Sequence, residues 1–285
     1  MRKNQSSLTA AGIALARAVE SERPEDERIC YDLYARQFTP AWMYYIFGFF
    51  IKTGYAELRG PGVIGFLMAR ERYIDDVLNN YLNEGLHQLV ILGAGYDSRS
   101  YRFDLPRRLK TFEVDHPLTQ ADKLKKVQQV FGRIPTHVTY VAVDFNAQTI
   151  SERLLASGYD PNLISLFIWQ GVTMYLTPEG VDATLAFVVN HATPGSAIVF
   201  DYVYQAVLDG TQKQNEINNI RRYRFMTGEG LSFGIPEGTV ELFLRQRGFQ
   251  QVIDVNTETL KAAYYTGKNA CRKMVGGYSI VIGKV

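Results

Sequence analysis

The hydrophobic pattern divides the chain in two. Up to about residue 84 apolar positions recur at helical spacing; beyond it, short apolar runs alternate with helical stretches. Leu8 to Glu20 is alanine-rich and predicts a helix, and Ser21 to Arg28, charged and interrupted by Pro24, predicts a loop. From Ile29 to about Tyr55 the chain is aromatic and reads as helical, up to a break at Gly60-Pro61-Gly62. Residues 63–83 return to one apolar stripe through Ile64, Leu67, Met68, Ile74, Val77, Leu78 and Leu82. The first third is therefore expected to be a helical cap.

After Asn83-Glu84-Gly85 the alternation predicts an α/β fold with a mostly parallel sheet. The expected strands are Gln88–Leu92, Lys110–Val114, Val138–Val143, Leu163–Trp169, Ala197–Tyr202, Gln250–Val255 and Tyr278–Ile282. Helices are expected near Ser98–Arg102, Leu118–Phe131, Asn146–Ser157, Pro178–Asn190 and Thr239–Arg247. A Gly-rich approach, Val275-Gly276-Gly277, suggests a hairpin and an antiparallel last strand. Residues 203–236 are too many for an ordinary connection and predict a helical insertion after the fifth strand.

Composition narrows the classes. The 285 residues carry 31 basic and 29 acidic side chains, a formal charge of +2, so no global basic field points to nucleic acid. Hydrophobic residues at 46% and charged ones at 21% are those of a folded globular chain. Cys30 and Cys271 allow one disulfide but no metal-binding cysteine pair, and the four histidines lack ligand spacing, so no metal is expected. The start of the chain has charge but no apolar h-region. The longest apolar run, Ala41 to Ile51, falls short of the ~20 residues that span a bilayer. A cytoplasmic protein without a membrane segment is the expectation, and the apolar run is most simply a core helix. Aromatics, at 13%, suit either a large core or a pocket for a flat ligand.

Candidate chemistry gathers at strand ends. In Ile91 to Phe103, ILGAGYDSRSYRF, the first strand runs into Gly93-Ala94-Gly95, a turn that lets a ligand approach the backbone. A dinucleotide fingerprint would have a third glycine where Ser98 stands, which tilts the reading away from NAD. Asp115 closes the second strand 22 positions after Gly93, a spacing at which an acid can accept hydrogen bonds from both ribose hydroxyls; a solvated strand-end Asp is the alternative. Asp144 with Phe145 ends the third strand and could frame an adenine, or Asp144 could be a helix N-cap. Gln170-Gly171 ends the fourth. In open α/β sheets ligands lie outside the carboxyl ends of the strands, and all four sites fall on that edge.

These residues, together with Ser7-Leu8-Thr9-Ala10, Ala16-Arg17-Ala18, the run Ala69 to Asp76 (ARERYIDD), Gly228-Glu229 and Phe233-Gly234-Ile235-Pro236, resemble the leucine carboxyl methyltransferase family, in particular its bacterial branch of small-molecule O-methyltransferases. The resemblance implies a Rossmann-like seven-stranded fold, a cap over residues 1–84 that contributes to the acceptor pocket, and a core over 85–285 that binds S-adenosylmethionine. It implies that Arg70 holds the methionine carboxylate, where a bidentate guanidinium fits well; a surface salt bridge in a charged helix is the alternative. Gly93, Ala94 and Gly95 would pass beside the methionine portion, Asp115 would bind ribose, and Asp144 with Phe145 would frame adenine. Gln170 stands where the leucine carboxyl enzymes carry a Glu near the methionine ammonium, so a carbonyl must serve as acceptor.

A carboxylate acceptor, with a reference pKa near ~4, is already ionised and needs no general base, whereas a phenol near ~10 would benefit from one. No His–Asp dyad of obvious spacing is present, which favours carboxyl methylation of a small-molecule acid. His116 is assigned to lining the cofactor site or to packing. Candidates for acceptor contact are Arg102, Tyr175, Tyr202, Tyr204 and Arg222. Tyr202 and Tyr204 share a strand face and fit core packing equally, and Arg99 and Arg102 could instead tie the first helix to the cap. The Ala41–Ile51 helix could wall an apolar acceptor pocket. Methylation of a protein C-terminal carboxyl, a nicotinamide-dependent oxidoreductase and a silent ligand-binding relative are the competing readings.

Overall fold

The computed structural model describes residues 8–143, 149–211 and 230–285. Seven strands form one sheet in the order β3-β2-β1-β4-β5-β7-β6. They are β1 Gln88–Leu92, β2 Lys110–Asp115, β3 Val138–Ala142, β4 Ser165–Trp169, β5 Ala197–Val203, β6 Gln251–Asn256 and β7 Tyr278–Lys284. β1 to β5 are mutually parallel, and β7 runs antiparallel between β5 and β6.

The central strands are continuous apolar runs because both sheet faces are covered. In β1, Leu89 and Ile91 face one buried cluster and Val90 and Leu92 the other; in β4, Leu166 and Ile168 are split from Phe167 and Trp169 in the same way. One face packs on the long cap helix through Met68, Ile74 and Leu78. The opposite face packs on helices Ile150–Ala156 and Pro178–His191 through Leu154, Val181, Leu185 and Val188.

The cap contains α1 Leu8–Ser21, α2 Ala35–Phe38, α3 Ala41–Lys52, α4 Tyr55–Arg59 and α5 Val63–Asn83. Three expectations are corrected here. The stretch 29–55 is not one helix: Pro40 forces Thr39 into extended backbone (φ −88°, ψ 130°), so α2 ends there and α3 starts afresh. The Ala41–Ile51 run is not core. Only Met43 and Gly48 are buried in α3, while Trp42, Tyr45 and Phe49 are 57%, 70% and 61% exposed. Gly48 faces Leu15 and Val19 of α1, and Tyr44 and Ile51 pack partly against the same cluster, while Trp42, Tyr45 and Phe49 face outward. Finally, β6 and β7 are not joined by a hairpin; a helix, Thr257–Tyr264, and a 3-10 turn, Gly267–Asn269, lie between them. Cys30 is buried and Cys271 exposed, and both are free thiols. Among the described residues no helix is long and apolar enough to cross a membrane.

Candidate functional site

The strand order reverses between β1 and β4, whose onward connections run to opposite sides of the sheet. Such a switch point opens a crevice outside the carboxyl ends of the two strands. Here the turn after β1 is Gly93-Ala94-Gly95, and the turn after β4 is Gln170-Gly171. The two turns touch: Gly93 has φ +66°, and a Cβ on it would stand 2.3 Å from Val172 Cγ2. The N-terminal helix α1 closes over both, with Ala10 against Gly95 and Ile13 against Gly171.

Beneath this edge lies a buried cluster of charges. Arg99 is fully buried; its Nε donates to Asp75 (2.7 Å), its Nη2 to Glu71 (2.8 Å) and its Nη1 to Asp97. Arg17 of α1 donates to Asp32 (2.9 Å), to Glu71 Oε1 (3.1 Å) and to the Tyr96 carbonyl (2.5 Å). Arg102 holds Asp75 with two bonds of 2.7 and 2.8 Å and the Ser98 hydroxyl at 3.0 Å. Burial by itself would raise the pKa of Glu71, but Arg17, Arg99, Arg70 and Arg102 outweigh it and hold the carboxyl well below its usual range. Asp97 is likewise held low by Arg99 against its own burial. The cluster joins α1, α5 and the loop after β1 in one place.

Two polar groups at the crevice are left unmatched. Arg70, only 2% exposed, gives Nη1 to Asp201 Oδ2 of β5 (2.6 Å), while its Nε and Nη2 have no partner among the described residues. Asp201 Oδ1 also accepts the Gly171 amide (2.5 Å), which fixes the turn after β4 relative to Arg70. Gly171 has φ +67°, and a Cβ there would lie 3.3 Å from Arg70 Nη1. Gln170 Nε2 donates to Glu71 Oε1 (2.6 Å), and its buried Oε1 is without a partner. Desolvated donors and acceptors are costly unless matched. A guanidinium edge with two open N–H groups suits a carboxylate, and an open amide carbonyl suits an ammonium.

Asp115 stands half-buried at the end of β2, on the same edge. Its Oδ2 accepts the Gly95 amide (2.5 Å) and its Oδ1 the His116 amide (2.6 Å), leaving a lone pair on each oxygen. Burial raises its pKa, opposed by those two backbone donors.

Of the remaining residues singled out from sequence, Ala94 is buried inside the first turn. His116 caps helix Pro117–Phe131, its Nδ1 accepting the Leu118 amide at 3.3 Å. Tyr175 is half-buried in the 3-10 turn Thr173–Tyr175 after β4. Tyr202 and Tyr204 lie in the core between sheet and helices, and the Tyr202 hydroxyl donates to Asp254 (3.1 Å). Arg102 belongs to the ion cluster. Asp144, Phe145 and Arg222 lie outside the described residues. Sequence reasoning missed Glu71, Asp75, Asp97 and Asp201. For Asp201 a signal existed: a lone acid inside the apolar run AIVFDYV.

The leucine carboxyl methyltransferase profile matches residues 10–189. The chain is 31% identical over 267 residues to YktD of Bacillus subtilis (strain 168), a protein named for S-adenosyl-L-methionine-dependent methyl transfer, covering 87% of this chain and 88% of that one. It is 26% identical over 272 residues to Rv3767c of Mycobacterium tuberculosis (strain H37Rv), named for the same activity, covering 88% and 84%. Among solved structures, a DUF574 family protein from Streptomyces avermitilis superposes with a TM-score of 0.59 at 11% identity, covering 99% of this chain and 98% of that one. A protein from Thermobifida fusca YX, named as a methyltransferase, gives 0.56 at 14% identity over 99% and 96%. At such identities these two establish the fold alone.

Proposed function

The chain belongs to the leucine carboxyl methyltransferase family and is an S-adenosylmethionine-dependent methyltransferase, and from that premise we propose that it transfers the methyl group to a carboxylate oxygen of a small-molecule acid, giving a methyl ester. The observation that carries the cofactor site is the unmatched pair at the switch point. Arg70 Nε and Nη2 would hold the cofactor's carboxylate, and Gln170 Oε1 would accept from its ammonium. Asp115 would accept from the ribose hydroxyls through its remaining lone pairs, beside the Gly93-Ala94-Gly95 backbone, with His116 behind it. Asp144 and Phe145 would frame the adenine.

The cofactor, when bound, supplies a methyl group activated on a sulfonium. The protein's part is position and electrostatics. Asp201 fixes Arg70 and the Gly171 turn together, and α1 covers both turns. An acceptor carboxylate is already ionised at neutral pH, so none of this chain's residues would have to remove a proton from it. This agrees with His116, whose Nδ1 is engaged as a helix cap. Tyr175, beside the β4 turn, and Arg222 are the proposed contacts to the acid; Arg102, Tyr202 and Tyr204 have their polar groups engaged or buried elsewhere.

One observation favours a second acceptor, the terminal carboxylate of a protein: the aromatic face of α3 exposes Trp42, Tyr45 and Phe49, a surface on which a polypeptide could dock. Labelled methyl transfer tested on small carboxylic acids, phenols and peptides with free C-termini separates these. Base-stable product from phenols alone would refute carboxyl methylation, and calorimetric binding of NAD without binding of S-adenosylhomocysteine would refute the cofactor assignment.

A further inference from the structure

We propose that Glu71 is a positioning residue for the cofactor's ammonium group and acts through Gln170, by capturing the amide nitrogen and so turning the carbonyl into the site. The proposal rests on the cofactor reading above and deepens it. A glutamine amide presents nearly the same shape in its two flipped orientations, so its hydrogen-bond partners decide which end faces a ligand. Here the partner is unambiguous. Glu71 is 1% exposed, and its Oε1 accepts Gln170 Nε2 at 2.6 Å and Arg17 Nη1 at 3.1 Å, while its Oε2 accepts Arg99 Nη2 at 2.8 Å. An ionised carboxylate only accepts, so the opposite flip would set the Gln170 carbonyl against it and aim an NH₂ group at a cation.

The consequence is a displaced charge. At the end of the fourth strand this chain offers a neutral amide, with the negative charge next to it on α5. The charge-assisted bond from Gln170 to Glu71 polarises the amide, and its carbonyl becomes a stronger acceptor than an isolated glutamine would offer. Glu71 touches no ligand atom in this scheme.

The test is isothermal calorimetry with two probes, S-adenosylhomocysteine and its analogue lacking the α-amino group. The wild-type protein is expected to prefer the amino-bearing ligand by about tenfold or more, the range of a hydrogen bond to a charged group. Glu71→Gln should remove most of that preference by weakening the amino-bearing ligand alone. The swap Glu71→Gln with Gln170→Glu should restore it, since the acid oxygen then faces the site and the amide at 71 donates to its other oxygen. Glu71→Asp keeps the charge among the arginines but withdraws it from Gln170 by a methylene, and should lose the preference even if Glu71→Gln fails to fold. A preference that survives in Glu71→Asp and Glu71→Gln, or a loss equal for both ligands, overturns the proposal while leaving the cofactor reading intact. Absence of S-adenosylhomocysteine binding in the wild type overturns both.

Discussion

Replacing Arg99 by Met tests whether the buried ion cluster holds the cap to the sheet. Arg99 is fully buried, and each of its three guanidinium nitrogens bonds a carboxylate, on Asp75, Asp97 and Glu71. Those acids come from α5 and from the loop after β1. Methionine keeps much of the side-chain volume, so the change removes charge and hydrogen bonds more than packing. Breaking a buried pair by deleting one partner costs about 3–5 kcal/mol, because the other charge stays desolvated. Domain stabilities of about 5–15 kcal/mol make that a large fraction of the total. Arg102 still neutralises Asp75 and Arg17 still reaches Glu71, so Asp97 carries most of the loss. The sign of the pH dependence follows from the depressed pKa values of Glu71 and Asp97. Their contribution is present above the ordinary carboxylate range and is lost as pH falls through the folded-state values. The gap between wild type and Arg99→Met should therefore be widest near neutrality and narrow on acidification. Urea denaturation followed by circular dichroism at a series of pH values measures it. A loss below about 1 kcal/mol, the worth of an exposed pair, would refute the reasoning.

Gly93→Ala should destabilise by about 2–4 kcal/mol in the same assay, combining the left-handed backbone with overpacking against Val172, and adding Val172→Ala should recover the steric part. Tyr202→Phe should cost about 1 kcal/mol and leave the KM for acceptor unchanged, since Asp254 keeps its bond from Ser279 at 2.6 Å; a raised KM would return Tyr202 to the acceptor site. Because burial raises the Asp115 pKa, its fold contribution is present in acid and lost as pH rises through that value, while ribose binding needs the ionised form. Affinity for S-adenosylhomocysteine, measured by calorimetry, should thus fall by up to about tenfold per pH unit below the raised pKa, and the profile should flatten in Asp115→Asn.

Much of the fold was legible because it is written in local periodicity. Strands buried on both faces are apolar with little interruption, so β1 and β4 stand out between turns, and the stripe of α5 runs from residue 63 to 83 as observed. The Gly93 turn and the acid closing β2 were legible for a similar reason: turn chemistry and strand ends constrain neighbours in sequence. By contrast, the apolar content of α3 carried no information on which side of it would be covered. A helix apolar all round has no stripe to point inward, and which side is covered is set by packing on Leu15 and Val19 of α1, distant in sequence.

The sequence by itself thus determined the alternation of strands and helices, the strand-end motifs and the family likeness. Only the tertiary structure decided that Arg70 is buried rather than a surface ion, and which acid meets its Nη1. Its partner Asp201 lies 131 positions away, and the Gln170–Glu71 bond spans 99. Periodicity encodes which face a residue turns inward; it does not encode which charge waits there. A buried charge is stable only with a matched partner, and that partner is brought close by the closing of the whole sheet.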